Sequence, residues 1–219
     1  MTTIGLLVST VVNMLVFPPN HRRDIVENIQ RISERAGTIL ERTFRTIIYD
    51  AHTNHLNELE TTKQLTKEIR KTEALIHFQR NESKLYPWVR GKEKELLMAK
   101  KQLLFLHNLE YHLGALLNIP EQYISWTPAE RDRIMHAVTE LADDLTHSID
   151  YNPKKHASQL KNITDLFWDD NKEITTSEER HPSQFPPEFV VLYELITIYN
   201  LVDQFYKPSS VKLTPDAEK

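Results

Sequence analysis

The sequence has no cysteine, and its 219 residues include only four glycines, at Gly5, Gly37, Gly91 and Gly114. Without cysteine the chain has no disulfide, no thiol nucleophile and no Cys-based zinc or iron–sulfur site. So few glycines exclude a Gly-rich phosphate loop and disfavour a turn-rich β fold. Both absences favour a helical protein that binds no cofactor.

Groups of reactive or metal-binding side chains are also missing. Histidine is abundant, with ten copies, and four pairs could each share one face of a helix: His52/His55, His107/Glu110, His136/Glu140 and Asp143/His147. Two ligands do not make a metal site, and no pair belongs to a His-Glu-x-x-His motif. No serine lies in a nucleophile-elbow context. We therefore predict no catalytic residue and no metal site, and an enzyme ranks behind other classes of protein.

One long uncharged run starts the chain, from Ile4 to Phe17. A membrane-spanning helix needs about 20 apolar residues, so this run is short for a span on its own. Pro18 and Pro19 then end any helix. We interpret residues 1–19 as the end of a transmembrane helix that needs upstream helices or partner subunits. A buried helix of a soluble protein is the alternative.

Basic residues follow this run directly, at His21, Arg22 and Arg23. Basic residues next to an apolar segment mark the cytoplasmic side of a membrane. A signal peptide would instead begin with basic residues and end in small ones. The pattern therefore predicts a protein of the cell membrane with most of its chain in the cytoplasm: a helical bundle at 20–207 and a flexible tail at 208–219.

Hydrophobic periodicity predicts helices throughout the predicted bundle. Apolar residues recur at steps of three and four from Ile25 to Ile48, and a more polar helix follows through residues 59–78. A third helix from about Lys92 to Pro120 has enough leucine to be buried on more than one side. These long helices with short connections predict an all-α fold, an antiparallel up-and-down bundle.

The second half of the chain has clearer helix boundaries. Thr127-Pro128-Ala129-Glu130 is a capping box that begins a fourth helix, which we predict to end near Asn152-Pro153. A shorter helix follows at residues 157–167, with Ala157 on its apolar face. We predict a long loop at residues 169–187 and a final helix from Glu188 to about Tyr206.

Charge is unevenly distributed, although the net charge is only −4. Between Lys63 and Lys101 eleven Lys or Arg accompany five Glu, whereas from Glu121 to Lys219 there are ten basic and eighteen acidic residues. A basic segment beside a membrane attracts anionic headgroups, but a solvated face balanced by the acidic half would give the same pattern. Six residues are candidate contacts for an anionic lipid or ligand: Arg80, Arg90, Lys92, Lys94, Lys100 and Lys101.

Aromatic residues offer a second candidate ligand site. Five could line a pocket for an aromatic carboxylate, with Arg80 or Arg90 as its partner: Tyr86, Trp88, Trp126, Trp168 and Tyr193. Packing in the core or at an interface is the competing interpretation.

A family resemblance follows from the first part of the chain. The junction Gly5…Asn13…Phe17-Pro18-Pro19, followed by a long amphipathic helix and a leucine-rich bundle, resembles the end of aromatic acid exporter proteins, within the fusaric acid resistance-type superfamily. The resemblance implies that residues after about Asn20 correspond to the C-terminal cytoplasmic helical domain of that family. The sequence starts inside the final membrane helix of that family, so the resemblance implies part of a transport system, not transport by this chain.

Two functional classes therefore remain. The first is a regulatory or assembly domain of an exporter-like membrane protein, whose partners are the lipid bilayer and upstream helices or partner subunits. The second is a free-standing cytosolic helical scaffold or binding module that self-associates through its apolar amino end. Neither reading includes nucleic acid as a partner.

Overall fold

Six α-helices are described by a computed structural model, which covers residues 21–49, 55–85, 93–119, 124, 126–147, 151–170 and 186–207. The helices are α1 Arg22–Tyr49, α2 His55–Leu85, α3 Glu93–Leu117, α4 Pro128–Thr146, α5 Pro153–Asp170 and α6 Pro187–Tyr206. These described residues contain no strand, so the all-α prediction is confirmed for them.

Helix α1 is the centre of the core. All nine of its predicted apolar positions between Ile25 and Ile48 are buried, because the helix is covered by α2, α3 and α4. The contact with α4 is the most extensive. At this contact a Cβ added to Gly37 would lie 2.8 Å from the carbonyl oxygen of Ala142. Ser33 Oγ donates a hydrogen bond to the carbonyl oxygen of Leu145 at 2.8 Å, so the two backbones pack closely together.

Helices α2 and α3 form a hairpin. Its connection, residues 86–92, reaches at most about 30 Å, whereas a helix of 31 residues is about 46 Å long, so the two packed helices must be antiparallel. Thr66 Oγ1 donates to Glu110 Oε1 at 2.7 Å and fixes their relative position. Residues further along α2 therefore lie beside residues earlier in α3.

Helix α3 is buried on more than one side, as predicted, because it packs against α1, α2 and α6, but not every leucine is buried. Leu97 and Leu104 are 45% and 53% exposed, and Phe78 of α2 is 48% exposed. The other leucine rows of α3 face α1 and α6, which leaves these two, seven residues apart, on the uncovered face.

Helix α4 begins as predicted. Thr127 Oγ1 accepts from the Glu130 amide at 3.4 Å, and Glu130 Oε2 accepts from the Thr127 amide at 2.7 Å, which completes the capping box. The predicted end near Asn152-Pro153 was wrong, because α4 stops at Thr146. Asn152 Oδ1 accepts from the Lys154 amide at 3.0 Å, so Asn-Pro begins α5 instead.

A buried histidine joins α4, α5 and α6. His156 is 3% exposed; its Nδ1 lies 3.0 Å from Asp144 Oδ2, and its Nε2 lies 2.9 Å from the carbonyl oxygen of Tyr199. Carboxylate and carbonyl oxygens only accept, so the charged ring satisfies both, whereas each neutral tautomer satisfies one. We predicted that Ala157 lies on the buried face of α5. Ala157 is exposed instead, and the buried face of the helix includes His156.

Tyrosines complete this arrangement, which we call the His156 cluster: His156, Asp144, Tyr151, Tyr199, Asp203 and Tyr206. Tyr199 donates to the carbonyl oxygen of Ala137 at 2.7 Å, Tyr151 donates to Asp203 Oδ1 at 2.9 Å, and Tyr206 donates to the carbonyl oxygen of Asp144. The rings of Tyr151 and Tyr206 stack at 4.2 Å. Burial raises the pKa of Tyr199, so its hydroxyl stays a donor at neutral pH.

None of the helices in the described residues is both long and apolar enough to span a membrane. The predicted transmembrane segment at residues 1–19, most of the predicted loop at 169–187 and the tail at 208–219 all lie outside the part of the chain that the structure describes.

Candidate functional site

A groove between α2 and α3 combines apolar side chains with exposed cations, and its volume is about 390 Å³. Helix α2 contributes Ile69, Arg70, Glu73, Ile76, His77 and Arg80. Helix α3 contributes Leu97, Lys100, Lys101, Leu103, Leu104 and His107. We call this site the α2–α3 groove. Its volume falls within the range typical of pockets for small molecules.

The floor of the groove is aliphatic. Ile69, Ile76 and Leu103 are almost completely buried and form its base, because they also belong to the core beneath the hairpin. Leu97 and Leu104 stand on its rim with about half of their surface exposed. Among the described residues its lining includes no Phe, Tyr or Trp, and the rings it does contain are the imidazoles of His77 and His107. A ligand that enters the groove therefore meets methyl and methylene groups.

The charged side chains of the groove are mostly cationic. Two arginines and two lysines accompany one carboxylate, Glu73, and the histidines His77 and His107 add further donors. On α2 the polar lining residues are three or four positions apart, which places them on one helix face. Charges at this surface attract an anion over several ångströms, and salt weakens the attraction.

The two ends of the groove differ in charge. Since α2 and α3 are antiparallel, Arg80 lies toward Leu97 and Lys101, near the hairpin connection, and Arg70 lies toward His107. At the His107 end a carboxylate is close, because His107 Nδ1 is 3.5 Å from Glu110 Oε2. Three of the four Arg and Lys side chains of the lining, Arg80, Lys100 and Lys101, lie toward the hairpin connection, so we call that end the cationic end.

The structure brings together three of the six predicted basic contacts. Arg80, Lys100 and Lys101 line the groove, whereas Lys94 is exposed on α3 outside it. Arg90 and Lys92 lie outside the described residues. The sequence analysis missed Arg70, although its spacing of three from Glu73 was visible in the sequence. The role of these residues in ligand binding stays a prediction.

Two of the three basic residues that precede and begin α1, His21 and Arg22, contact the hairpin. The amide of His21 donates to Gln79 Oε1 at 2.9 Å, and its ring lies 5.5 Å from that of Phe78. Arg22 Nη1 is 3.4 Å from Glu95 Oε2 on α3. Because Gln79 and Glu95 flank the cationic end, α1 begins beside that end of the groove.

Arg23 is the most exposed of these three residues. Its Nε donates to Glu27 Oε1 at 2.6 Å, and 89% of its side chain is exposed. The glutamate, through its hydrogen bond and its charge, raises the pKa of Arg23. The membrane-proximal role predicted for His21, Arg22 and Arg23 stays a prediction.

The three described aromatic residues of the second candidate site do not line this groove. Trp126 is buried in the core, as the competing interpretation expects, whereas Trp168 and Tyr193 are more than half exposed on α5 and α6. Tyr86 and Trp88 lie outside the described residues.

Two of the described histidine pairs place the imidazole ring beside a carboxylate. His107 lies 3.5 Å from Glu110, and His136 lies 3.6 Å from Glu140. The described part of the chain holds no group of three or more His, Cys, Asp or Glu side chains with the spacing of a metal site.

Comparison with known proteins gives three informative relatives, all named UPF0421 proteins. The chain is 28% identical to one of Oceanobacillus iheyensis over 206 residues, which cover 94% of the chain and 59% of the relative. It is 20% identical to one of Bacillus thuringiensis over 207 residues, which cover 93% and 57%. It is 24% identical to one of Staphylococcus haemolyticus over 206 residues, which cover 93% and 58%.

The chain spans a little under three fifths of the length of the curated relatives it matches. No family model matches the sequence, and no solved structure matches it significantly. The resemblance to aromatic acid exporters thus has no support from a family model and stays a hypothesis.

Proposed function

We propose that this chain is a regulatory or assembly domain of a membrane transport protein similar to the aromatic acid exporters. The domain performs no chemistry of its own and acts by binding an anionic ligand in the α2–α3 groove. The observation that carries this proposal is the groove itself, which combines an aliphatic floor with four Arg or Lys side chains. Such a site binds, and it contains no nucleophile beside a general base.

The position of the groove supports a link to a membrane segment. Its cationic end lies beside the start of α1, where His21 and Arg22 contact α2 and α3. The uncharged run from Ile4 to Phe17 precedes this point by only a few residues. A ligand bound at the cationic end would therefore sit close to the segment that we propose to enter the bilayer, and could alter its orientation.

The relatives are compatible with this proposal. About two fifths of the length of each relative lies outside the match. That length leaves room for further segments, such as the membrane helices that the proposal requires as partners of this domain. In our proposal these segments transport the substrate, and the bundle sits on the cytoplasmic side of the cell membrane.

Topology provides the test of this proposal. We expect reporter fusions made after Asp50 in the full chain to be active for a cytoplasmic reporter and silent for a periplasmic one, and the chain to sediment with membranes. Exchanging Arg22 and Arg23 for Gln should weaken this orientation. A chain found entirely in the soluble fraction, or a periplasmic reporter signal, would refute the proposal.

A free-standing binding scaffold is the second candidate, and the core favours it. The whole apolar stripe of α1 is buried, and α2, α3 and α4 pack against it, so these described helices form a core of their own. A truncated chain of residues 20–207 should then be soluble, helical and cooperative in thermal unfolding under either proposal. Self-association that disappears on removal of residues 1–19, together with a cytosolic location, would favour the scaffold.

A further inference from the structure

We infer that the α2–α3 groove binds an aliphatic monocarboxylate, with the acid group at the cationic end and the chain along the floor. This inference names the ligand class of the proposed regulatory site, and its regulatory meaning rests on the proposed function. The binding itself depends only on the groove.

The cationic end selects the acid group. Arg80 and Lys101 already have partners within the protein, so the ligand would join an existing polar network rather than fill an empty one. Lys100 adjoins them and is exposed. A guanidinium can bind a carboxylate through two parallel hydrogen bonds, and the ammonium groups add further charge-assisted donors.

The floor selects the rest of the ligand. Ile69, Ile76 and Leu103 form a continuous aliphatic base, and Leu97 and Leu104 rise at its rim. The described lining has no Phe, Tyr or Trp, so the apolar contacts it offers are with aliphatic side chains. From Ile69 to Arg80 the groove follows α2 for about 16 Å, which suits an extended alkyl chain.

The volume of the groove matches that of a small ligand. The groove provides about 390 Å³, which lies within the range of pockets that hold a single small molecule.

Calorimetric titration of the full chain in a mild detergent, with butyrate, octanoate and octanol as probes, tests this inference. Octanoate should bind with one site per chain and more tightly than butyrate, by at most about fourfold for each added methylene. Octanol, which lacks the charge, should bind at least about tenfold more weakly than octanoate. Raised salt should weaken octanoate but leave octanol unchanged.

Paired substitutions locate the site. The double variant Arg80→Gln, Lys101→Gln should weaken octanoate binding by at least about tenfold, whereas Lys161→Gln, an exposed position on α5, should not change it. Leu104→Ser should reduce the dependence of the affinity on the length of the alkyl chain but leave the dependence of octanoate binding on salt unchanged. If the double variant fails to fold, the exposed Lys100→Gln replaces it, with an expected loss of about threefold.

Three results would overturn the inference: equal affinity for butyrate and octanoate, octanoate binding that ignores the charge substitutions, or binding only to vesicles that contain phosphatidylglycerol. The last would assign the groove to an anionic membrane surface. Octanoate binding by a chain that is not in the membrane would uphold this inference and refute the proposed function. A correctly oriented membrane chain without octanoate binding would do the reverse.

Discussion

The two sides of the bundle differ in whether their polar side chains are buried or exposed. On the α4 side, where α4 contacts α1, α5 and α6, the polar side chains of Ser33, His156 and Tyr199 are buried and bonded within the protein. On the side of the α2–α3 groove, most of the cations are exposed around an aliphatic floor. Buried polar groups bonded to one another fix the fold, whereas exposed cations around an open groove can take an anion as an additional partner.

Removing the buried imidazole ring of His156 should cause the largest loss of stability on the α4 side. His156→Ala should lower the free energy of unfolding by about 3 kcal/mol, because it leaves Asp144 and the carbonyl of Tyr199 without their partner. Chemical denaturation measures this loss. His136→Ala, an exposed position on α4, is the control and should change stability by less than about 0.5 kcal/mol. Equal effects at both positions would contradict a structural role for the buried ring of His156.

Gly37 and Gly114 differ in the space that is available for an added side chain. Gly37→Ala should destabilise by about 2 kcal/mol, because its Cβ would press on the carbonyl oxygen of Ala142, a backbone atom that cannot swing aside. Gly114→Ala on α3 should stabilise by up to about 1 kcal/mol, since nothing lies within 4 Å and alanine favours the helix. Thermal unfolding of both variants measures the difference. A stabilising Gly37→Ala would show that the α1–α4 contact is looser than described.

Charge removal in the groove should hardly alter stability. Lys100→Ala should change the free energy of unfolding by less than about 0.5 kcal/mol, because the side chain is exposed and lies among other cations. The measurement is denaturation at low and at high salt. A loss of more than about 1 kcal/mol would assign Lys100 a structural role and weaken the case for a ligand site.

Asp203, a partly exposed carboxylate of the His156 cluster, should make a small pH-dependent contribution to the free energy of unfolding. Burial alone would raise the pKa of Asp203, but hydrogen bonds from Lys207 and Tyr151 outweigh burial and lower this pKa. Its contribution to stability is thus present above the unfolded-state pKa and is lost as the pH falls through the folded-state pKa. In Asp203→Asn the drop in unfolding free energy below about pH 4 should be shallower. Parallel curves for both proteins would contradict this role.

Local sequence patterns were enough to predict the elements that depend on one helix. The stripe of α1 needed only the spacing from Ile25 to Ile48, and the start of α4 needed only Thr127 and Glu130. Sequence could not tell which leucine rows of α3 face the core, because leucine recurs on several faces and the packing partners decide. The exposure of Leu97 and Leu104 therefore could not be predicted.

The candidate site depends on contacts between helices, which limits what sequence can predict. The basic residues Arg80, Lys100 and Lys101 were identified by charge, but the groove exists because the hairpin brings them beside Ile76 and Leu103. The His156 cluster was missed for a related reason. One partner of the ring is a backbone carbonyl 43 residues away, and such an acceptor leaves no trace in residue type.

The close contact between α1 and α4 has a consequence for the synthesis of the protein on the ribosome. Ser33 and its partner Leu145 are 112 residues apart in the chain. At a translation rate of about 5–20 residues per second, α1 emerges roughly 5–20 s before the helix that covers it. During that interval α2 and α3 can shield only part of the apolar stripe of α1. The nascent chain therefore displays a hydrophobic helix for many seconds, long enough for a chaperone to bind it.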